Sequence, residues 1–380
     1  MGDYVRQMPH QGSQDLARPP SAAMRFHIDV PLLLLLLALT GYGLFVLYSA
    51  SGQSMPAVVR QGRFFLVAYV VMILGAQISL QRFMRWAPWL YVAGTGTLVA
   101  VILVGVGAKG AQRWLEIGGF RFQPSEIMKL VVPMAVAWFL AERILPPRFL
   151  AIVTALGLIG LPAVLILAQP DLGTALLIAA SGLFVLFMAG MGWRYIFGAV
   201  VLAIASAWPM WMFVLKDYQK QRILTMLDPE SDKLGAGWNI IQSKTAIGSG
   251  GWEGKGWMQG TQSHLDFLPE SHTDFIIAVL SEEFGLRGVL LLMGIYLLIL
   301  LRGFWIGVRA STSFGRMVAG SVTLTFFVYI FVNMGMVAGV LPVVGVPLPL
   351  VSAGGTSVVT LMAGFGILMA VSTQQPLVPR

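Results

Sequence analysis

The chain alternates between long apolar runs and short polar segments over most of its length. Eight runs contain no Lys, Arg, Asp or Glu, and each approaches or exceeds the roughly 18 residues that mark a transmembrane helix. They are Leu32–Tyr48, Phe64–Leu80, Trp86–Ala108, Phe149–Ala168, Leu172–Trp193, Tyr195–Leu215, Met317–Leu341 and Leu350–Val371. Two more, Pro124–Ala141 and Phe275–Leu301, carry a few charges. The pattern predicts an all-α integral membrane protein with ten transmembrane helices.

Composition supports this fold class, because the chain is 57% hydrophobic and only 11% charged, against about 25% charged residues in a typical soluble domain. Cysteine is absent, which excludes disulfides, a thiolate nucleophile and a cysteine-based metal site. The four histidines are too scattered for a histidine-rich metal site. The net charge of +8 is divided between two sides of a membrane, so we expect no nucleic-acid partner.

The distribution of arginine predicts the orientation. Arginines are concentrated in the short segments on the side of the N-terminus, which favours cytoplasmic termini. We therefore predict a cytoplasmic tail (1–29), a ten-helix domain (30–372) and a second cytoplasmic tail (373–380). The long loop 216–274, between the seventh and eighth predicted transmembrane helices, then faces outward. Basic residues also occur on that outward face, against the usual bias: Lys109, Arg113, Arg121, Lys216, Lys220, Arg222, Lys233, Lys244 and Lys255. They are either solvated loop charges or a cationic surface for a lipid phosphate or pyrophosphate.

The first outward cluster combines a cation, an indole and a helix start. Arg113 can bind phosphate through two parallel hydrogen bonds, and Trp114 can lie at the interface or stack on a sugar ring. Pro124 and Glu126 fit the first turn of a helix. Lys129 follows Glu126 by three residues, so an ion pair within the helix is favoured over a ligand role.

Three features of the later outward segments have simple structural interpretations. Asp171 is most simply the acid at the N-terminus of a helix. Ile240, Ile241 and Ile247 predict one face of a short interfacial helix. Gly248–Gly251 is interpreted as a hinge or a cleft floor, because no lysine–serine ending follows it and no strand precedes it, as a phosphate loop requires.

The segment Leu268–Phe275 closes the long loop and opens the next apolar helix. We expect Ser271 or Thr273 to cap that helix and Asp274 to lie in its first turn. Asp274 either stabilises the helix dipole or acts as a general base on a sugar hydroxyl. Because ionisable groups at a membrane edge are costly, they are functional candidates. Nearby alternatives are His264, Asp266, Glu270 and His272.

Polar residues also occur deeper in the predicted bundle. Glu283 and Arg287 are spaced for an ion pair within one helix, and together with Glu282 they also fit a proton or ion pathway. The uncharged, proline-rich loop Leu341–Thr356 must line a cavity or pack against protein. Asn333 is expected to make a contact between helices.

Taken together, these segments resemble the SEDS family (shape, elongation, division, sporulation), and its elongation branch more than its division branch. The resemblance runs from about Asp29 to Val371. The segments that carry it are Lys109–Trp114, Arg121–Glu126, Gln169–Gly173, Tyr218–Glu230, Gly248–Gly256, Leu268–Phe275 and Leu341–Gly355.

The resemblance implies a ten-helix protein of the bacterial inner membrane that polymerises lipid II into glycan strands and releases undecaprenyl pyrophosphate on the outer face. It implies that Asp274 is the catalytic residue and that Trp114 is required. It also implies a class B penicillin-binding protein, a transpeptidase, as partner, beside lipid II, polyprenyl-linked glycan and membrane lipids.

The reaction that this resemblance and the residues share is attack of a sugar 4-hydroxyl on an anomeric carbon, with Asp274 taking the proton. Outward cations would balance the pyrophosphate charge. The expected substrate-binding residues are Arg113, Arg121 and Lys129, then Arg222 and Lys244, together with Trp114, Glu126 and His272. No resident metal is predicted, and a divalent cation such as Mg²⁺ is an alternative source of positive charge. Two other functions stay open: a flippase or transporter of lipid-linked precursor, and a non-catalytic scaffold for a penicillin-binding protein.

Overall fold

The computed structural model describes residues 26–108, 111–117, 120–232, 235–261 and 271–374. Helices dominate the described chain: α1 (Val30–Ala50), α2 (Met55–Ala76), α3 (Leu80–Val104), α4 (Pro124–Ala141), α5 (Phe149–Ala168), α6 (Leu172–Met188), α7 (Trp193–Pro209), α8 (Asp217–Leu227), α9 (Ala236–Gly250), α10 (Ile276–Arg309), α11 (Ser313–Val337) and α12 (Thr356–Ser372). A π-helical turn, Met210–Val214, continues α7, and a 3₁₀ turn, Pro229–Asp232, follows α8.

All ten predicted apolar runs are helical in the described chain, which confirms the fold class. Eight of these helices are long and apolar enough to cross a membrane, and α6 and α12 are shorter apolar helices. The number of membrane crossings therefore stays a prediction. The largest boundary error is at α2, which begins at Met55 rather than Phe64 and includes Arg60 and Arg63. Long arginine side chains reach the interface from inside a helix, so charge-free runs underestimate helix length.

At one end of the bundle, α1 is joined to α10 and α12. Asp29 caps α1 by accepting from the amide of Leu32 at 3.1 Å, and its two oxygens accept from Arg302 at 3.0 and 2.7 Å. His27 Nδ1 lies 2.9 Å from the hydroxyl of Thr373. The first and last described segments therefore lie at the same end of the bundle.

The opposite end, called the site end below, contains a small antiparallel sheet that the hydrophobic pattern did not predict. Its strands are β1 (Val106–Ala108), β2 (Ala111–Ile117) and β3 (Phe120–Phe122), in the order β1-β2-β3. The sheet connects α3 to α4 and packs against both helices. It places the first outward cluster of the sequence beside the helix ends.

The helix α10 is interrupted at Gly285, whose φ of 63° and ψ of −161° are not helical. The loop that follows α9 completes the broken hydrogen-bond ladder. The carbonyl of Glu282 accepts from the amide of Lys255 at 2.9 Å, and the amide of Leu286 donates to Gly251 at 2.9 Å. Because buried backbone groups must be paired, this loop is an integral part of the helix break.

The interruption also separates the residues expected to form an ion pair within α10. Arg287 instead pairs with Glu253 at 2.7 Å, and Ser49 donates a hydrogen bond to Glu283. The predicted Glu283–Arg287 pair is therefore wrong, because spacing by four brings side chains together only in a continuous helix. Glu282 is fully buried and its Oε1 accepts from the ammonium of Lys255 at 2.7 Å.

The predicted short helix in the long loop exists as α9, but it buries a different face. Ile240 is buried, whereas Ile247 is exposed. The buried face continues through Ser243, whose hydroxyl donates to Val337 in α11 at 2.9 Å. Gly250 ends α9 and packs against the backbone of α10, and the hinge or cleft-floor role of Gly248–Gly251 stays a prediction.

One apolar helix, α7, stands apart from the rest of the bundle. It has no buried residue in the described chain. Its ring contact with the bundle is at its first turn, where Tyr195 stacks on Phe149 at a centroid distance of 6.2 Å. The exposed apolar side chains of α7 fit a lipid environment, in which such exposure carries no penalty.

Candidate active site

Asp274 lies in a turn that precedes α10, and its neighbours in that turn are anchored to the loop between α11 and α12. The carbonyl of His272 accepts from the amide of Ala353 at 3.0 Å. The carbonyl of Thr273 accepts from the hydroxyl of Ser352 at 2.6 Å. Two consecutive peptide groups before the aspartate are therefore held by one loop.

The peptide of Asp274 itself is held by a different element. Asn333 in α11 donates from its amide nitrogen to the carbonyl of Asp274 at 2.8 Å and to the carbonyl of Val346 at 2.8 Å. Gly345, the neighbour of Val346, has a φ of 72°, and a Cβ at this position would lie 3.6 Å from Oδ2 of Asp274. Asp274 is partly exposed, and its carboxylate lies beside an uncharged loop.

The expected capping of α10 is not observed. Phe275 is the N-cap and makes no side-chain capping bond. The hydroxyl of Ser271 donates instead to the carbonyl of Ala50 at the end of α1, at 3.2 Å. Asp274 thus precedes the helix rather than lying in its first turn, because the contacts of the turn are made to other helices and loops. A role limited to stabilising the dipole of α10 is correspondingly weaker.

A buried ion pair in α4 is the second part of the site. The ammonium of Lys129 lies 2.7 Å from Oε1 of Glu126, as the spacing predicted. It also lies 5.2 Å from the ring centroid of Tyr329 in α11. Tyr329 packs in one apolar cluster with Val346. The pair is therefore joined, through Tyr329 and Val346, to the loop that holds Asp274.

The same ion pair forms the polar end of a groove between α4, α11 and α12. The groove is narrow, with a cavity volume of about 20 Å³. Away from Glu126 and Lys129 its walls become apolar, with Pro133, Gly364 and Phe365 among them. The hydroxyl of Thr325, which also lines it, is buried and has no hydrogen-bond partner among the described residues. A groove that is charged at one end and apolar along the rest of its length suits an amphiphilic ligand.

Arg113 connects the small sheet to the start of α6. Its Nη2 donates to the carbonyl of Pro170 at 2.6 Å, and its Nε lies 3.6 Å from Oδ2 of Asp171. Asp171 is the N-cap of α6, as predicted. Two residues further along, Gly173 of α6 packs against Val344 of the α11–α12 loop. Arg113 is thus connected to the same loop through the start of α6.

The two other residues of the small sheet lie nearby along the strands. Trp114 follows Arg113 in β2, is partly buried, and stands opposite Val106 in β1. The backbone of Arg121 in β3 stands opposite Glu116. The sheet therefore gathers Arg113, Trp114 and the backbone of Arg121 at the site end.

The remaining predicted site residues are less closely connected. Lys244 of α9 lies over Gly339, at the end of α11. Arg222 lies on α8, which packs against the 3₁₀ turn and α9. His272 contributes a backbone carbonyl to the turn of Asp274. Five further candidates lie outside the described residues: His264, Asp266, Glu270, Lys109 and Lys233.

Two contributors were not predicted from the sequence, namely Tyr329 and Ser352. Each is a single polar side chain in an otherwise apolar stretch, which is the signal that could have identified it. Within the described ranges, no three His, Asp or Glu side chains come together to hold a metal ion.

Comparison with known proteins finds relatives that match this protein over almost its whole length. A family model described as cell cycle protein, named for FtsW, RodA and SpoVE, matches residues 30–376. Peptidoglycan glycosyltransferase MrdB of Escherichia coli (strain K12) is 53% identical over 356 residues, which are 94% of this chain and 96% of that protein. A probable peptidoglycan glycosyltransferase FtsW of Trichlorobacter lovleyi is 36% identical over 367 residues, covering 92% of this chain and 94% of that protein.

Solved structures agree with the sequence relatives. A chain from a peptidoglycan synthase complex that coordinates polymerization and crosslinking superposes with a TM-score of 0.80 at 31% identity, covering 90% of this chain and 97% of that chain. The rod shape determining protein RodA of Thermus thermophilus superposes with a TM-score of 0.68 at 28% identity, covering 90% of this chain and 96% of that chain.

Proposed function

Because the chain belongs to the FtsW, RodA and SpoVE family of cell cycle proteins, we propose that it is a peptidoglycan glycosyltransferase that polymerises lipid II during cell elongation, with Asp274 as its catalytic base. The observation that carries this proposal is the position of Asp274. Asp274 is partly exposed, its carboxylate lies beside Gly345 of the α11–α12 loop, and that loop also contacts Tyr329 at the polar end of the groove. The proposed base, Asp274, and the polar end of the groove are thus both next to the α11–α12 loop.

The proposed reaction needs a single carboxylate. The 4-hydroxyl of the acceptor sugar forms a bond to the anomeric carbon of the donor while the bond from that carbon to the pyrophosphate breaks, with inversion. Asp274 takes the hydroxyl proton as the new bond forms. Pyrophosphate leaves without being protonated once its charge is balanced, whereas a glycosidase needs a second carboxyl group to protonate its leaving oxygen.

The geometry ranks the proposed phosphate ligands. Arg113 uses one nitrogen for Pro170 and keeps a side chain that is 35% exposed, so other N–H groups of the same guanidinium can bind phosphate. Lys129 is buried and already paired with Glu126, which makes it a poorer ligand and a better organiser of the groove head. Arg121, Arg222, Lys244, Trp114 and His272 remain proposed contacts. Mg²⁺ carried by the pyrophosphate would share the charge.

We assign the groove between α4, α11 and α12 to the polyprenyl chain of the substrate. Its lining is mostly apolar, which suits part of such a chain. With both termini in the cytoplasm, the site end faces outward from the inner membrane. The similarity to a chain of a peptidoglycan synthase complex supports a class B penicillin-binding protein as the crosslinking partner.

The test is polymerisation of labelled lipid II by purified protein in detergent, scored as glycan chains on a gel. Asp274→Asn should make no chains while keeping the elution volume and thermal midpoint of the unaltered protein. The matched control is Asp228→Asn, which removes an exposed carboxylate of the same long loop and should polymerise normally. Normal chain formation by Asp274→Asn would rule out the base assignment.

The assay also separates the alternative functions, because a flippase needs a sealed bilayer and a scaffold makes no product. Absence of chains from the unaltered protein, alone and with a class B penicillin-binding protein, would contradict the glycosyltransferase proposal. Chelation with EDTA during the same assay tests whether a divalent cation contributes to the rate.

A further inference from the structure

Asn333 binds both the backbone of Asp274 and the loop that lies beside the Asp274 carboxylate. It is fully buried in α11, and its amide nitrogen donates to the carbonyls of Asp274 and Val346 at 2.8 Å each. Both acceptors are carbonyl oxygens, so only the nitrogen of the amide can face them. The orientation of this amide is therefore fixed by chemistry, whereas amide orientations are often ambiguous.

The consequence for the carboxylate is geometric. Val346 follows Gly345, and Gly345 is the backbone that Oδ2 of Asp274 lies beside. The two bonds of Asn333 therefore set the spacing between the aspartate and the loop next to it. Ser352 and Ala353 hold the preceding carbonyls of Thr273 and His272, so they fix the turn without contacting the carbonyl of Asp274 itself.

The energetics of Asn333 favour a functional reason for an amide at this position. Burying an amide is costly unless its polar atoms are bonded. Here Oδ1 is buried and has no hydrogen-bond partner within the described part of the chain. An apolar side chain of similar size would avoid this cost. The benefit of the amide is then its two donated bonds, which connect α11, the Asp274 turn and the α11–α12 loop.

We propose that Asn333 is a positioning residue for Asp274, which rests on the proposed role of Asp274 as the base. It acts through the backbone and does not touch the substrate. Its loss should displace the carboxylate relative to the acceptor hydroxyl. Misplacement of a reacting group by about 1 Å can reduce a rate by about 100-fold. Because the groove and its ion pair are left in place, substrate binding should change little.

The experiment compares Asn333→Leu with Tyr296→Phe. The control removes an equally buried hydrogen bond to the α11–α12 loop, from the hydroxyl of Tyr296 to the carbonyl of Pro349 at 2.8 Å, without affecting Asp274. We expect kcat for lipid II polymerisation to fall about 10- to 100-fold in Asn333→Leu, with KM within about twofold of the unaltered value. Tyr296→Phe should keep both constants.

A second readout does not depend on activity. Amide hydrogen exchange in the peptide 271–278 should accelerate in Asn333→Leu and not in Tyr296→Phe. Should the leucine variant fail to fold, Asn333→Gln decides, because it keeps the donors but displaces them. It should then show a reduced kcat at unchanged KM, together with faster exchange.

Three results would overturn the proposal: an unaltered kcat in the variants of Asn333, a loss confined to KM, or an equal loss in Tyr296→Phe. Its failure is distinguishable from failure of the base assignment. An inactive Asp274→Asn with a fully active Asn333→Leu rejects only the positioning role. An active Asp274→Asn rejects the base itself.

Discussion

Gly254 packs directly against Gly285, and neither position has room for a side chain. A Cβ on Gly254 would lie 2.6 Å from the amide nitrogen of Gly285, and both residues have positive φ angles, 81° and 63°. The contact joins the loop after α9 to the break in α10. It is the backbone counterpart of the hydrogen bonds that the same loop makes to Glu282 and Leu286.

We predict that Gly285→Ala destabilises the folded protein. The φ and ψ angles of 63° and −161° belong to a region that is essentially restricted to glycine and costs other residues about 1–3 kcal/mol, and the clash with the loop adds to this cost. The thermal midpoint in detergent should fall. Gly294→Ala, in the same helix with no atom within 4 Å of its added Cβ, should be neutral or stabilising by up to about 1 kcal/mol. Equal midpoints for the two variants would contradict the observed break.

The buried pair of Glu126 and Lys129 should respond asymmetrically to substitution. Lys129→Met leaves an uncompensated buried carboxylate, for which about 3–5 kcal/mol of destabilisation is expected. Combining it with Glu126→Gln removes both charges and should recover much of that loss. Urea or thermal unfolding of the single and double variants measures the difference.

The double variant also tests the groove. It should remain folded yet polymerise lipid II poorly, because the polar head of the groove is lost. Full polymerisation by a stable double variant would show that the charges serve the fold alone. A double variant less stable than Lys129→Met would contradict the assumption that the two charges compensate each other.

The apolar pattern predicted the helices well, because a helix in contact with lipid must be apolar along its length and such a composition can be recognised directly in the sequence. It failed where the backbone is satisfied by tertiary contacts. The break at Gly285 depends on amides and carbonyls of the loop 251–256, and no local pattern encodes such a partner. The ion pair predicted within α10 failed for the same reason. The strands β1–β3 are three to seven residues long, too short for an alternation to be recognised.

For the candidate active site, the sequence identified the residues that take part better than it identified the residues that they contact. Asp274 was recognised as a candidate because a charge at a membrane edge is costly. Of the residues that anchor its turn, Ser352 lies 79 residues from Thr273 and Asn333 lies 59 residues from Asp274 along the chain, separations that no spacing rule covers. Arg113 was predicted as a phosphate ligand, and the structure adds its contacts with Pro170 and Asp171, which no motif indicated.

Substitution of Arg113 tests whether its guanidinium binds pyrophosphate or stabilises the fold. Arg113→Lys keeps the positive charge but loses the planar group that contacts Pro170 and Asp171 together. If the guanidinium binds pyrophosphate, KM for lipid II should rise severalfold while the thermal midpoint stays within about 2 °C of the unaltered protein, since surface-type pairs contribute only about 0–1 kcal/mol. A lowered midpoint at unchanged KM would assign Arg113 to the fold instead. Steady-state kinetics and thermal unfolding on one preparation decide between the two.

The separation of α7 from the bundle predicts a contrast between two isoleucines. Ile178 in α6 is fully buried, whereas Ile204 in α7 is 72% exposed. Ile178→Ala removes packed atoms and leaves a cavity, with an expected loss of about 2–5 kcal/mol. Ile204→Ala should change the stability by less than about 0.5 kcal/mol, because the side chain of Ile204 faces lipid or detergent rather than other protein atoms. Thermal unfolding of both variants in the same detergent tests the contrast. A comparable loss at Ile204 would mean that α7 packs against the bundle in the membrane protein as purified.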